Sequence, residues 1–199
     1  MIIIDDFCKD EDLLRRINES EDFWEIGYKW YDGWWSEEPS SLRHELIQYI
    51  WGSNSPHPPV RTAGFEHWVG DYTSENSHES LGRDWSLKLH FDKDEEKWNN
   101  NREFVTPSLG TIFYPDPAID EMEGGMLYYW DRFGPEDTTE EGFIYWPDYE
   151  PEVIKPKYNR LIIFDAGKLH GVSQIISGRR RAIAINLWDS PPTEFEKDY

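Results

Sequence analysis

Ile2-Ile3-Ile4, bounded by Asp5 and Asp6, predicts a short buried strand. Polar positions follow, and Leu13, Leu14 and Ile17 then fall at helical spacing. Asp10 or Asp12 can cap that helix, which ends near Asn18. Phe23 to Trp35 is aromatic and is broken by Gly27 and Gly33, a pattern that reads as a strand hairpin. From Ser41 to Trp51, Leu42, Leu46, Ile47 and Ile50 again repeat at helical spacing, and Gly52 stands just past the end. The run Ser53-Asn54-Ser55-Pro56-His57-Pro58-Pro59 is incompatible with a helix and predicts a loop.

Beyond that loop the period shortens. Thr62–Val69, Trp85–Phe91, Gly110–Tyr114, Met126–Trp130, Arg160–Phe164 and Arg181–Trp188 read as strands, most of them bounded by Gly, Pro, Asn or Asp. Two stretches, Lys93–Pro107 and Asp131–Tyr158, are long and irregular, which in a compact domain marks lids or substrate-reading surfaces. Helices first and many short strands after them predict a mainly β fold with supporting helices, an α+β chain built on a sandwich or barrel. The 199 residues carry no internal repeat and no convincing boundary, so they read as one domain, with a supporting region to about residue 60 and a β core over roughly 61–190.

Charge narrows the functional classes. Asp plus Glu number 40 against 20 Lys plus Arg, a formal net charge of −20. Nucleic-acid and anionic-membrane binders need a basic face, so both are disfavoured, while a basic partner is permitted. Eleven Trp, eleven Tyr and ten Phe separate this chain from disordered acidic sequences, which are poor in aromatics. The single cysteine, Cys8, excludes an intramolecular disulfide and a Cys-only metal cluster and fits a reducing, cytoplasmic setting. The first residues lack the basic start and apolar length of a signal peptide, and no apolar run is long enough for a membrane span.

Three segments carry candidate chemistry. In His90-Phe91-Asp92 the outer two residues share a strand face and can grip one ion, although alone the pair reads equally as an exposed strand end. In Asn159 to Val172 an apolar strand runs to a turn that delivers His170 beside Gly171. Two His and one carboxylate form the facial arrangement of non-haem Fe(II) oxygenases, whereas zinc more often adds Cys or a third His. The third segment, Ser177-Gly178-Arg179-Arg180-Arg181, concentrates positive charge at the start of a strand, about ten residues after His170. Strand alternation sets Arg180 on one face and its two neighbours on the other. A guanidinium is a fork for a carboxylate, though at least two of these arginines read as solvated or paired with surface acids.

The ordered set His90-x-Asp92, Gly124-Gly125, Arg160-Leu161-Ile162-Ile163-Phe164, His170-Gly171-Val172 and Gly178-x-Arg180 resembles the 2-oxoglutarate and Fe(II)-dependent oxygenases, most closely their prolyl-hydroxylase-like branch. The resemblance covers roughly residues 60 to 190. It implies a double-stranded β-helix, a distorted jelly roll, with His90, Asp92 and His170 as iron ligands. Arg180 would pair with the far carboxylate of 2-oxoglutarate, with Arg179 as the alternative if the turn is one residue shorter. Phe113-Tyr114-Pro115-Asp116 stands where many relatives have a strand ending in tyrosine, so Tyr114 would donate to the same carboxylate unless Pro115 shifts it. The implied reaction consumes 2-oxoglutarate and O₂, releases succinate and CO₂, and hydroxylates an unactivated C–H bond of a free or peptidyl amino acid, by charge a basic one. The alternatives are a non-catalytic or a hydrolytic cupin-like metal-binding barrel.

Other residues keep two readings. Lys88 shares the His90 face by alternation and either lines the barrel mouth or packs its stem and solvates its amine. Asp94-Glu95-Glu96 either draws a basic substrate or solvates a loop. Trp68, Trp85, Trp130 and Trp188 read as core before they read as substrate platforms. Gly124-Gly125 serves a tight approach before a strand rather than phosphate binding.

Overall fold

The computed structural model describes residues 1–32, 38–52, 62–75, 85–138 and 147–195. The predicted loop at Ser53–Pro59 and the end of the Phe23–Trp35 segment lie outside them. In chain order the strands are β1 (Ile2–Ile4), β2 (Lys29–Tyr31), β3 (Gly64–Thr73), β4 (Trp85–His90), β5 (Leu109–Tyr114), β6 (Glu123–Gly124), β7 (Leu127–Trp130), β8 (Glu152–Ile154), β9 (Arg160–Phe164), β10 (Leu169–Ser173), β11 (Ile175–Ser177) and β12 (Arg179–Trp188). Among the described residues three α-helices accompany them: α1 (Glu11–Glu19), α2 (Leu42–Trp51) and α3 (Glu95–Asn101).

The strands form a major sheet in the order β1-β9-β5-β12-β3-β2, a minor sheet in the order β4-β10-β7-β8, and a small β11-β6 pair. Every strand pairing is antiparallel. Alternation along β12 splits the protein in two. Ile183, Ile185 and Leu187 pack with Leu13, Ile17, Leu46, Ile47 and Ile50 of the helices. On the other face, Ala182 joins Ile112, Tyr114, Ile162 and Phe164 against Leu127, Tyr129 and Val172 of the minor sheet. The interior between the sheets holds His90, Asp92, His170 and Arg180, and the helices close the opposite face of the major sheet.

Local signals explain the helices. The Asp10 carboxylate accepts a hydrogen bond from the Leu13 amide at 2.9 Å, so Asp10 rather than Asp12 is the cap. Ser41 caps α2 through the His44 amide at 3.2 Å, and the Gly52 amide closes the other end on the Gln48 carbonyl. Asn159 holds the lead-in segment to the barrel. Its side-chain oxygen accepts from the Cys8 amide at 2.8 Å, and its amide donates to the Cys8 carbonyl at 2.9 Å.

Several expectations require correction. The segment from Phe23 does not fold back on itself within the described residues. It forms a 3₁₀ turn at Asp22–Trp24, and β2 pairs instead with β3. Ile3 is exposed, because β1 is an edge strand and buries only its Ile2 and Ile4 face. Lys93–Pro107 contains α3, started by an Asp94 cap. Within Asp131–Tyr158 the described residues include a 3₁₀ turn at Pro135–Asp137 and strand β8.

Candidate metal centre

Strands β4 and β10 set His90 directly across from His170. The two imidazole centroids lie 4.3 Å apart. Asp92 follows the end of β4 and is anchored there by its amide, which donates to the Ala166 carbonyl at 3.0 Å. Its carboxylate lies 3.4 Å from His90 Nε2 and 3.7 Å from His170 Nε2. One donor atom from each of the three residues falls within 4.8 Å of the others. The arrangement therefore offers two nitrogens and one oxygen from a single side.

The tautomers follow from the other ring nitrogens. His90 Nδ1 lies 2.7 Å from the Lys88 carbonyl, and His170 Nδ1 lies 2.8 Å from the Lys168 carbonyl. A carbonyl only accepts, so each Nδ1 carries its proton and each Nε2 keeps a lone pair facing Asp92. Burial, then the neighbouring His90, push the His170 pKa down to about 4. Burial also opposes charge on His90, but Asp92 beside it outweighs this and raises its pKa. Burial disfavours an ionised Asp92, yet His170 and His90 together lower its pKa. Neutral imidazole with carboxylate is a donor set that suits Fe(II).

Arg180 stands behind this triad, buried to 4% exposure on the interior face of β12. One of its terminal nitrogens donates to the Tyr114 hydroxyl at 3.1 Å, and the guanidinium carbon lies 5.3 Å from the centre of the Tyr114 ring. Among the described residues its Nε has no hydrogen-bond partner. A buried cation with an orphaned donor and no described carboxylate beside it fits an incoming anion. Pro115 does not displace Tyr114, which remains fully buried within β5. Arg179 takes the outer face, where both it and Arg181 pair with Asp71 at 2.5 and 3.2 Å. Gly125 backs Arg180 in a left-handed conformation at φ 62°, and a Cβ there would meet Met122 at 2.7 Å. Gly124 has φ 84° and pairs with β11, which suits the tight approach expected of these glycines.

Lys88 is exposed and lines neither cavity beside the triad. The cause is a bulge. From His170 to Val172 of β10 is two residues, while their partners on β4, His90 and Leu87, are three apart. The extra residue breaks strict alternation, so Leu87 rather than Lys88 joins His90 in the interior. Asp94 is structural: it caps α3 at the Lys97 amide and accepts from Thr193. Trp130 and Trp188 are core, at 0% and 2% exposure. Trp85 and Trp68 are half-buried, and Trp68 lines both cavities.

Sequence reading missed two residues. Asn186 donates to Asp92 Oδ2 at 3.1 Å and so holds the carboxylate in place. Glu66, its cross-strand partner on β3, accepts from the Trp188 indole at 3.1 Å. Burial, then Asp92, push the Glu66 pKa up to about 7. The signal for Asn186 was present, since six residues beyond Arg180 on a strand is the same face. Glu66 had no such signal, because only the long-range β3–β12 register brings it to the site.

No protein-family model and no curated protein matches this sequence. Solved structures do match by shape. A prolyl-4-hydroxylase from Pseudomonas putida superposes with a TM-score of 0.52 at 13% identity, covering 96% of this chain and 88% of that one. Overlap is lower, with a TM-score of 0.44 and 14% identity, for a Trichoplax adhaerens prolyl hydroxylase in complex with a hypoxia inducible factor peptide fragment, over 99% of this chain and 87% of that one. A 2OG-Fe(II) oxygenase-family oxidoreductase from Burkholderia pseudomallei gives 0.41 at 12% identity, over 76% and 53%. The chain thus has the double-stranded β-helix fold of the 2-oxoglutarate/Fe(II) oxygenases. Within that fold it carries an intact His-x-Asp…His triad in His90, Asp92 and His170. No helix among the described residues is long and apolar enough to cross a membrane.

Proposed function

We propose that this chain is a 2-oxoglutarate- and Fe(II)-dependent dioxygenase that hydroxylates an amino acid, free or within a peptide. The observation that carries the reading is the buried Arg180, with its orphaned Nε, lining the same inner cavity as the triad from the facing sheet. A metal-binding barrel with no anionic cosubstrate gains nothing from a desolvated guanidinium there.

In this reading His90 Nε2, His170 Nε2 and one Asp92 oxygen hold Fe(II). Bound iron supplies the coupling between loss of CO₂ from 2-oxoglutarate and oxidation of a C–H bond. The balance is one 2-oxoglutarate, one O₂ and one C–H bond in, and succinate, CO₂ and one C–OH bond out. One oxygen atom enters the new succinate carboxylate and the other enters the product. The remaining tasks fall to the chain. The Lys88 and Lys168 carbonyls keep each Nε2 deprotonated toward the metal. The Asn186 amide orients Asp92. Arg180 and the Tyr114 hydroxyl take the far carboxylate of the cosubstrate. Leu127, Phe164 and Val172 wall the inner cavity and exclude water. The prolyl-hydroxylase likeness supports an amino-acid or peptide substrate.

The test is succinate formation from 2-oxoglutarate under air with added Fe(II) and a panel of free amino acids and peptides. Turnover is expected in the wild type and absent in His170→Ala, with Arg180→Met requiring far more cosubstrate. Absence of succinate across the panel, or turnover unchanged in Arg180→Met, contradicts the reading.

A further inference from the structure

Two cavities meet at His90 and Asp92, and Trp68, Tyr72, Leu87 and Asn186 border both. Their charged linings differ. The inner, narrow one ends at Arg180. The outer one, of about 370 Å³, reaches Glu66, Glu95, Glu96 and Glu194. Lys93 is the only lysine or arginine among the described residues that line it, and its amine is held at 2.6 Å by Glu95.

Glu66 is the outer counterpart of Arg180. It pairs across the strands with Asn186 of β12 and lies two residues along β3 from Trp68. Its Oε2 accepts from Trp188, and among the described residues no basic side chain pairs with it. A half-buried carboxylate without a counter-ion is costly, and a cationic ligand would offset that cost. Aromatic rings stand beside it. Tyr28 and Trp68 have centroids 5.0 Å apart at a 38° tilt. Tyr28 is 59% exposed at the rim, where Gly27 turns the chain with φ 138°. A carboxylate beside two electron-rich ring faces is a receptor for an ammonium or guanidinium group.

We propose that the substrate of this site is a cation, a protonated amine or guanidinium, which Glu66 holds against Trp68 and Tyr28 while its reacting carbon faces the triad. The reaction rests on the oxygenase reading above; the binding does not. Glu66 is then the residue that sets substrate charge, as Arg180 sets cosubstrate charge. The net charge of −20 draws such a substrate toward the protein as a whole.

The experiment uses the full chain at low salt and four peptides of one frame, carrying Lys, Arg, norleucine or Glu at one position, alongside free lysine and arginine. Binding is read by calorimetry without iron, and succinate release is read separately with Fe(II) and 2-oxoglutarate. The Lys or Arg probe is expected to bind about tenfold more tightly than norleucine, with the preference shrinking as salt rises. Glu66→Gln, which keeps an acceptor for Trp188, should abolish the preference, and Tyr28→Ala at the exposed rim should weaken it. Should Glu66→Gln fail to fold, Tyr28→Ala carries the test. Cation binding in the free amino acids or only in the peptides identifies the source of the charge, and either supports the proposal. Equal affinity for norleucine, or an undiminished preference in a folded Glu66→Gln variant, overturns it. Cation-selective binding with no succinate defeats the oxygenase reading and leaves the binding assignment standing. Succinate release with neutral substrates alone does the reverse.

Discussion

The two faces of β12 share one backbone and one ladder of hydrogen bonds, yet they have opposite uses. Toward the helices, Ile183, Ile185 and Leu187 are buried to 2% exposure or less in a dry core. Toward the interior, the same strand presents Arg180, Ala182, Ala184 and Asn186. The alanines leave room for a cavity, and the polar residues at either end carry charge or orient it. β3 divides in the same way, with Phe65 and Val69 in the helix-side core and Glu66, Trp68 and Tyr72 facing the cavities. One face therefore stabilises the fold. The other retains polar groups that cost stability in the free protein and that the proposed reading assigns to ligands. Alternation makes this possible without separate elements for each task.

Substitutions on the two faces should therefore separate activity from stability. The largest effect is expected on the ligand side: Asp92→Ala should reduce succinate formation to background, while its thermal unfolding midpoint stays close to that of the wild type. On the helix side the outcome should invert. Ile185→Ala is expected to cost about 2–5 kcal/mol in urea unfolding, with cosubstrate affinity per folded molecule unchanged. Arg180→Met sharpens the contrast because it should move both properties in opposite directions. Removing a buried, unpaired guanidinium is expected to raise ligand-free stability by about 1–3 kcal/mol, while cosubstrate saturation is lost.

A smaller effect comes from His67, a fully buried polar residue on the helix side of β3. It is 1% exposed, and among the described residues neither ring nitrogen has a partner. Burial, followed by Arg43, His44 and Lys29, pushes its pKa down to about 3. A histidine depressed in the folded state binds its proton first in the unfolded chain. Stability therefore falls as pH drops from about 6.5 toward 3 and is unaffected above that window. At pH 5 this amounts to roughly 1–2 kcal/mol. His67→Leu should flatten urea-unfolding curves across that range, and an unchanged slope would show that His67 is protonated in the native state.

The triad and Arg180 were legible in the sequence as an ordered set of motifs that resembles the 2-oxoglutarate oxygenases, whereas singly each reads as well as an exposed or solvated side chain. His90 and Asp92 are two apart, and Arg180 opens a strand shortly after His170. Arg160–Phe164 was legible as a strand, since the apolar run Leu161–Phe164 begins after Arg160 and ends at Asp165. What escaped was set by pairing at a distance. Trp30 was read as part of a local hairpin, but its strand completes β3 more than thirty residues away, at Glu66. Alternation alone left Lys88 with two readings, and the β4 bulge decides for the solvated one. Glu66 became a site residue only through its register with Asn186.

The central claim, that the triad and Arg180 form one site for iron and its cosubstrate, meets its most direct test in an anaerobic titration of the protein with Fe(II) and then 2-oxoglutarate. A visible metal-to-ligand charge-transfer band should appear in the wild type. It should be absent in His90→Ala, and in Arg180→Met it should need far more 2-oxoglutarate. A wild type that develops no band, or a band that persists unchanged in both variants, would contradict the account.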